Sequence, residues 1–492
     1  MDSIPSPQVE KRRKLGGYEF YREVLGSPKY IVAPMVDQSE LAYRRLTRRY
    51  GAQLVYTPMI NAKMFMDAQH KGYRDVNFDI PSGEEGAHAS SSTESDRPLV
   101  IQFCANSPTH LLAAAKVVEA HCDAIDINLG CPQEIAKRGH YGAFLMDEWE
   151  LVFEMINTLH KNLSVPVTAK FRVFPSIEKT VEYAQMLERA GAQILTCHGR
   201  MKEQRGVNSG LASLAHIRAV KEAVSVPVFA NGNVLFAHDV ARVLTETGAD
   251  GVMSAEGILY NPALFRGLAS GSGSSSSASE PTSTSTPTPA SLTSEENPTH
   301  DGYQNLMHTN PSHADLALEY LEIVRSLKTR TNVGAVKGHL FKLMRPALGK
   351  EPQWDLRERL GRIRVNPKKM DEGLDEYVKI CEEMKIRMEV SRRPNAHRFR
   401  SHTTARPRHK RSSDRPRRAP ALASTTILQT VAATWGRWKE GEEEKGGVVE
   451  VGDVEAVTPE KRPIESDVGD SEVMKKARIE VDSVPASVAV AA

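Results

Sequence analysis

Eight short apolar, β-branched runs recur between Tyr30 and Gly257, and no other feature narrows what this chain can fold into as much. They are YIVAPMV (Tyr30–Val36), LVYTPMI (Leu54–Ile60), LVIQFCA (Leu99–Ala105), AIDINLG (Ala124–Gly130), VPVTAKFRV (Val165–Val173), ILTCHGR (Ile194–Arg200), VPVFANGN (Val226–Asn233) and GVMSAEG (Gly251–Gly257). Between them, stretches such as HLLAAAKVVEA, WELVFEMINTLH, VEYAQMLERAG and AHDVARVLTETG carry apolar residues at three- and four-residue spacing, as helices with one buried face do. Eight strand–helix units in roughly 240 residues predict an α/β fold, a (β/α)8 barrel. A doubly wound sheet is the other arrangement such units allow. An internal echo favours the barrel: SVPVTAK at Ser164 returns as SVPVFAN at Ser225, and ERAGAQIL at Glu188 as TETGADGV at Thr245. Each GA there reads as a helix end feeding directly into a strand.

The rhythm occupies residues 18–268, and composition divides the rest. Residues 1–17 are expected to be disordered. Residues 82–96 (SGEEGAHASSSTESD) are small and acidic, with nothing to bury, and are expected to form a surface loop inserted in the barrel. Residues 269–313 are a Ser/Thr/Pro tract expected to be a disordered linker, residues 314–390 regain helical periodicity, and residues 391–492 form a basic and then mixed disordered tail. Five cysteines exclude a disulfide scaffold and point to a reducing compartment. No run approaches ~18 apolar residues, so neither a secretory signal nor a membrane span is expected. The expectation is a soluble, monomeric protein of the cytoplasm, the nucleus or both.

In a barrel of this kind the interior is packed, and polar residues gather where the strands end. Here they do: Gln102, then Asp126 and Asn128, Lys170 and Arg172, His198 and Arg200, Asn231 and Asn233, and Glu256, strand after strand. A single histidine after an apolar run is ordinarily a loop or core residue; a series over consecutive strands is not an accident of composition. NGN (Asn231–Asn233) and AEG (Ala255–Gly257) put Gly-flanked N–H groups at the last two strands, the usual phosphate cradle of such barrels. Lys170 and His198 add positive charge or donors, and Gln102 offers a paired donor and acceptor for the edge of a heteroaromatic ring. Together they suggest flavin mononucleotide or a sugar phosphate. Walker-type and strand-linked G-x-G-x-x-G motifs are missing, as is metal-type Cys/His spacing, so no metal is expected. Cys131, in N-L-G-C-P, lies in a loop at the reactive end, whereas Cys104, Cys122, Cys197 and Cys381 read as buried structural residues. A thiol with an ordinary pKa near ~8.5 can be general acid or nucleophile, and the sequence leaves both open.

The strings APMVDQSELAYRRL, DINLGCPQEIAKRGHYGAFLMDEW, HGRMKEQRG, ANGNV and MSAEGILYNP resemble the tRNA-dihydrouridine synthases, above all the eukaryotic branch acting on positions 16 and 17 of the D-loop. The likeness runs from about Lys29 to Phe265 and continues more weakly through VKGHLFKLMRPAL. It implies an FMN enzyme that reduces the C5–C6 bond of a uridine in tRNA with NADPH or NADH. By that likeness Pro34, Met35 and Val36 line the flavin ring, Gln102 and Lys170 bond its polar edge, and His198 holds the ribityl-phosphate side. Asn231, Gly232, Asn233, Ala255 and Glu256 would contact the phosphate tail. Cys131 would protonate C5, Asn128 would orient the uracil, and Lys137, Arg138 and Arg200 would face the substrate. One position departs from the family, Met201 where threonine is usual; Glu256, where many flavin barrels have arginine, departs from that wider pattern but matches the 16/17 branch.

A net charge of +2 would not draw a polyanion by itself. Between Arg392 and Arg418, however, eleven Lys/Arg stand against one acid, Asp414, the composition of an arm that tracks RNA phosphates or serves nuclear import. Lys11–Lys14 and KKAR at Lys475–Arg478 are smaller clusters of import type. The helical region adds Lys337, His339, Lys342, Arg345, Arg357, Arg359, Arg362 and Arg364, and one face of it is expected to bind tRNA. Two other functions compete: a flavin oxidoreductase of a small pyrimidine, of the dihydroorotate-dehydrogenase kind, and a non-catalytic RNA-binding protein on a barrel scaffold.

Overall fold

A computed structural model of the chain describes residues 13–90, 94–268, 311–350, 353–366 and 370–392. The Ser/Thr/Pro tract up to residue 310, the Arg-rich arm after Arg392 and the KKAR cluster lie outside the described residues.

Nine strands form one parallel sheet: β1 (Tyr30–Val32), β2 (Val55–Tyr56), β3 (Ile60–Asn61), β4 (Leu99–Cys104), β5 (Ala124–Leu129), β6 (Val167–Arg172), β7 (Ala192–His198), β8 (Val228–Asn231) and β9 (Gly251–Ser254). Their order is β1-β9-β8-β7-β6-β5-β4-β2, and the ends meet. Ile31 bridges Leu54, with Val32 N–H donating to the Leu54 carbonyl at 2.9 Å. The sheet is therefore a closed eight-stranded barrel, as the strand rhythm predicts. β3 is the addition: the run LVYTPMI is broken at Pro58, which has no N–H for a ladder, and its second half pairs with the end of β4. The two GA sites are helix ends, with Gly191 (φ 115°) and Gly248 (φ 66°) as left-handed caps.

Side chains alternate along each strand. Ile31, Leu54, Tyr56, Val100, Ala124, Ile194, Phe229 and Met253 form one cluster inside the barrel, while Val32, Val55, Ile101, Ile125, Leu195 and Val252 belong to the core under the helices. The inner cluster also contains Phe20, Tyr21 and Leu25, brought there by the helix Gly17–Glu23. This corrects the expectation that residues 1–17 are all outside the fold. Gly17 starts that helix, and Lys14 Nζ donates to the carbonyls of His160 (2.6 Å) and Leu163 (3.1 Å). Of the basic N-terminal cluster, Lys14 is thus a structural cap, while Lys11 and Arg12 lie outside the described residues.

The segment 82–96 is also corrected. It does have something to bury: Glu84, Glu85 and Asp96 are 5, 7 and 0% exposed. Asp96 grips Arg44 through Nε (2.9 Å) and Nη2 (2.6 Å), and Glu85 takes Arg44 Nη2 at 3.2 Å. Glu84 accepts the N–H of Thr329 at 2.8 Å, so the segment ties the barrel to the helices that follow.

Those helices are His313–Ser326, Val333–Leu343, Arg345–Leu348, Trp354–Arg362 and Met370–Arg392. The first opens on a capping box between Ser312 and Asp315. They pack against the barrel helix Leu41–Arg49 through Tyr320, which meets Tyr43 edge-on. No helix among the described residues is long and apolar enough to cross a membrane.

Candidate functional site

The inward-facing series that is apolar at the bottom of the barrel turns polar towards the strand ends. Register sets Gln102 beside Asp126 and Asp126 beside Thr168. Asn128, Lys170 and Thr196 form the next level, and Arg172, His198 and Asn231 the last. A period-two pattern on parallel strands thus lifts nine polar side chains to one rim.

Two connected networks result. In the first, Thr168 Oγ1 donates to Asp126 Oδ1 (2.6 Å) and Gln102 Nε2 to Asp126 Oδ2 (2.7 Å). Asn128 Nδ2 donates to Gln102 Oε1 (2.8 Å), and Asn128 Oδ1 accepts the N–H groups of Gly130 (3.1 Å) and Cys131 (2.9 Å). Gln102 is wholly buried, its amide held between Asp126 and Asn128. Asn128, expected to orient a uracil, also fixes the loop that carries Cys131. In the second network Lys170 Nζ donates to Asn231 Oδ1 (2.9 Å), and Asn231 Nδ2 to the Met253 carbonyl (2.9 Å). Arg200 reaches His198 Nε2 (3.2 Å) and Asn233 Oδ1 (3.2 Å).

Burial governs the electrostatics. Lys170 is pushed down to about 8 by desolvation and then by neighbouring Arg172. Desolvation also takes Arg172 down to about 10, with Arg200 adding to it. His198 falls well below the usual imidazole range through burial, then through Lys170, Arg172 and Arg200, so its ring is neutral at physiological pH. Asp126 is pushed up to about 6 by burial. Among the buried groups the basic ones outnumber the one carboxyl, Asp126, while the acids that act on Arg172 and Arg200, Glu203 and Glu256, are exposed.

Cys131 stands half-buried at the end of β5, and burial raises its thiol pKa. The thiol is therefore protonated at neutral pH. The loop is clamped on several sides. Arg172 Nε donates to the Gly130 carbonyl (2.7 Å), Arg205 Nη1 to the Pro132 carbonyl (2.6 Å) and Ala143 N–H to the Cys131 carbonyl (3.0 Å). Gly142, at φ 68°, packs so closely that a Cβ there would lie 2.8 Å from that same carbonyl oxygen. The other four cysteines are buried.

Arg172 is the residue sequence reasoning undervalued. Besides Gly130 it donates to the carbonyls of Met201 (2.8 Å) and Gln204 (3.1 Å), joining the β5 and β7 loops. Its inward parity with Lys170 was the available signal.

At the far side Gly232 (φ 114°) and Asn233 (φ 59°) both adopt left-handed backbone. A Cβ on Gly232 would lie 2.6 Å from the Ala212 Cβ and 3.4 Å from the His198 ring, so only glycine leaves this floor flat. Ala255 is half-buried, and Glu256, exposed, acts on Arg200 by charge alone. Pro34 and Met35 are half-buried and Val36 is 46% exposed, forming a lip after β1. Lys137 and Arg138 are exposed on the helix Glu134–Gly139 that follows Cys131.

The basic residues of the helical region divide. Lys337 caps the carbonyl of Gly361 and that of Ile363 (3.3 Å). His339 is buried against Glu40 (3.0 Å), Lys342 donates to Gln38 Oε1 (2.7 Å), and Arg345 lies over the Tyr260 ring. These four, expected to contribute to an RNA-binding face, all make contacts within the fold. Arg357, Arg359, Arg362 and Arg364 are exposed, with Arg359 paired to Glu383 (2.7 Å) and Arg362 to Glu358. Among the described residues no cluster of three or more His, Cys, Asp or Glu could hold a metal ion.

The parallel barrel thus carries a mouth lined with basic side chains and a thiol at its edge. The chain belongs to the dihydrouridine synthase (Dus) family, whose model matches residues 31–296. A Mus musculus protein named tRNA-dihydrouridine(16/17) synthase, NAD(P)(+)-like, is 47% identical over 352 residues, covering 72% of this chain and 62% of that one. The Saccharomyces cerevisiae tRNA-dihydrouridine(16/17) synthase, NAD(P)(+), is 45% identical over 339 residues, 68% of this chain and 70% of that one. A Homo sapiens tRNA-dihydrouridine(20a/20b) synthase, NAD(P)+-like, is 38% identical over 240 residues, 48% and 70% of the two chains. The match thus spans less than two thirds of the mouse protein's length.

Proposed function

We propose that this chain reduces the C5–C6 double bond of uridine in the D-loop of tRNA, at positions 16 and 17, with FMN as its flavin and NADPH or NADH as reductant. The observation that carries the reading is the half-buried thiol of Cys131, held by a clamped loop at the rim of a basic barrel mouth. The higher identity to the 16/17 relatives than to the 20a/20b relative supports the positions.

The residues fit the cofactor. The flat floor at Gly232, with His198 and Arg200 beside it, suits a phosphate, and the buried ammonium of Lys170 suits the electron-rich edge of a flavin ring. Asn231 aims Lys170 and keeps its proton donors pointed inward. The lip Pro34–Val36 offers an apolar surface to the ring. When bound, the flavin supplies hydride to C6 of the uracil.

The chain's own part is to hold and place a proton. Hydride arrival at C6 leaves charge at C5 and O4, and Cys131 Sγ–H protonates C5. The thiol holds that proton because it is desolvated, and it points correctly because Asn128 and Arg172 fix its loop from either side. Lys137 and Arg138, exposed on the next turn, meet the RNA backbone, and Arg172 excludes slack between the two loops that flank the base. Exposed Arg357 and Arg364 extend the contact to RNA beyond the mouth.

The test is an absorbance spectrum of the purified protein followed by incubation with NADPH and tRNA lacking dihydrouridine. Flavin bands and dihydrouridine at positions 16 and 17, with free uridine untouched, are expected. Reduction of free uridine or orotate instead would favour a small-pyrimidine enzyme. A protein that takes up no FMN would leave RNA binding alone.

A further inference from the structure

Within the eight residues Ala33–Glu40 the chain runs from the lip of the mouth to the main contact with the helical region. At the lip end the turn is tight. Met35 N–H donates to Ser39 Oγ (3.0 Å), Ser39 Oγ donates back to the Met35 carbonyl (3.2 Å), and Gln38 N–H donates to the same carbonyl (3.0 Å). Asp37 between them sits at φ 54°, a left-handed conformation for a residue with a Cβ. At the other end Gln38 and Glu40 are held from outside the barrel. Glu40 accepts Tyr320 OH at Oε1 (2.7 Å) and His339 Nε2 at Oε2 (3.0 Å). Gln38 Oε1 accepts Lys342 Nζ (2.7 Å), and Gly338 packs so close to Gln38 that a Cβ there would lie 3.0 Å from its amide nitrogen. His339 is buried and stacks on Tyr43 at 3.9 Å between ring centroids.

The far side of the turn is fixed as well. Arg44 Nη1 donates to the Ser39 carbonyl (3.0 Å), and Arg44 is itself locked by Asp96 and Glu85. The strained turn is thus gripped on one side by the barrel and on the other by two helices more than 270 residues away in sequence. Such a conformation persists only where its surroundings over-determine it.

We propose that Glu40 and Gln38 are positioning residues, through which docking of the helical region sets the geometry of the Pro34–Val36 lip. The helical region then shapes the barrel mouth in addition to any contact it makes with RNA. The inference rests on the reading of that lip as the wall of the flavin site, yet the link itself is a property of the free protein and can be measured without cofactor.

The experiment is hydrogen–deuterium exchange of the full chain for wild type, Glu40→Gln, His339→Ala and His339→Gln, with visible circular dichroism of the FMN-loaded proteins beside it. In Glu40→Gln and His339→Ala, amides of residues 35–39 are expected to exchange about tenfold faster, the effect of losing one charge-assisted hydrogen bond. The barrel strands should be unchanged and the flavin dichroism altered. His339→Gln keeps an N–H donor towards Glu40 while losing the stacking on Tyr43, so it should restore slow exchange even though its melting temperature falls with that of His339→Ala. Exchange at 35–39 that follows melting temperature in all three variants, or stays at the wild-type rate, would overturn the link. If the wild type binds no flavin but the exchange pattern holds, the functional reading fails and the mechanical link stands.

Discussion

Two buried groups of charges sit on this barrel, and they are unbalanced in opposite directions. On the helix Leu41–Arg49, Arg44 is fully buried between Asp96 and Glu85. Burial penalises its cation, but the two carboxylates more than offset that, and its pKa is raised. Around Arg44 itself two carboxylates face one guanidinium, with buried Arg48, pushed down to about 10 by desolvation, close to Asp96, and Glu85, with the longer share of Arg44, is pushed up to about 7, chiefly by burial. At the rim the excess is positive: Lys170, Arg172 and His198 are all pushed towards neutrality, and the nearest buried acid, Asp126, is itself driven up by burial. A surplus of carboxylates around one arginine closes a structural joint from within. A surplus of desolvated cations at a barrel mouth needs a partner from outside. The direction of the imbalance, rather than the amount of charge, separates the joint from the site.

The comparison can be broken most forcefully at the joint. Asp96→Ala leaves Arg44 buried beside the weaker carboxylate, and the expected loss is about 3–5 kcal/mol in urea unfolding. A loss below about 1 kcal/mol would mean that the joint is not the structural member of the pair. Next in size is a pH effect at Asp126. Its folded pKa is raised to about 6, above the ordinary carboxyl value, so its ionisation opposes folding. The penalty is fully present above about 6 and is relieved as pH falls towards the ordinary value near ~4. The stability difference between wild type and Asp126→Asn should therefore shift in favour of wild type by about 2–3 kcal/mol from pH 7 to pH 4. A difference that is flat with pH would contradict the assignment.

Smaller again is Lys170→Met. It removes an under-compensated cation, so thermal stability should hold or rise, while FMN binding weakens about ten- to hundredfold, the usual worth of one charged hydrogen bond. A destabilised protein with unchanged FMN affinity would make Lys170 structural and erase the contrast with Arg44. The least effect is expected from Arg357→Ala and Arg364→Ala. Each should lower tRNA affinity a few-fold and reduce the salt dependence of binding by about one phosphate contact. No change in the slope would leave tRNA recognition to other residues.

What the sequence made legible followed from periodicity. The eight barrel strands, the capping glycines Gly191 and Gly248 and the rim position of Lys170, His198 and Asn231 all come from patterns of two or of three to four residues, which local sequence carries. The partnerships came from elsewhere. Glu84, Glu85 and Asp96 lie in a segment whose composition signals a loop, and their partners are Arg44 and Thr329, far away in sequence. Gln102 and Asn128 were legible as inward polar residues, but not that each would be spent on the next, ending at the Cys131 amide. In the helical region, basic residues looked alike in sequence. Only packing shows that Lys337, His339, Lys342 and Arg345 face inward while Arg357 and Arg364 face solvent.

The central claim, that the rim delivers a proton from Cys131, is tested most directly by a single-turnover measurement. FMN-loaded wild type and Cys131→Ala are each reduced with NADPH without oxygen and then mixed with tRNA lacking dihydrouridine. NADPH should bleach both flavins at similar rates, while reoxidation by tRNA should slow by a factor of about 10² or more in the variant. Equal reoxidation rates, with dihydrouridine formed by both proteins, would contradict the assignment of Cys131 as the acid.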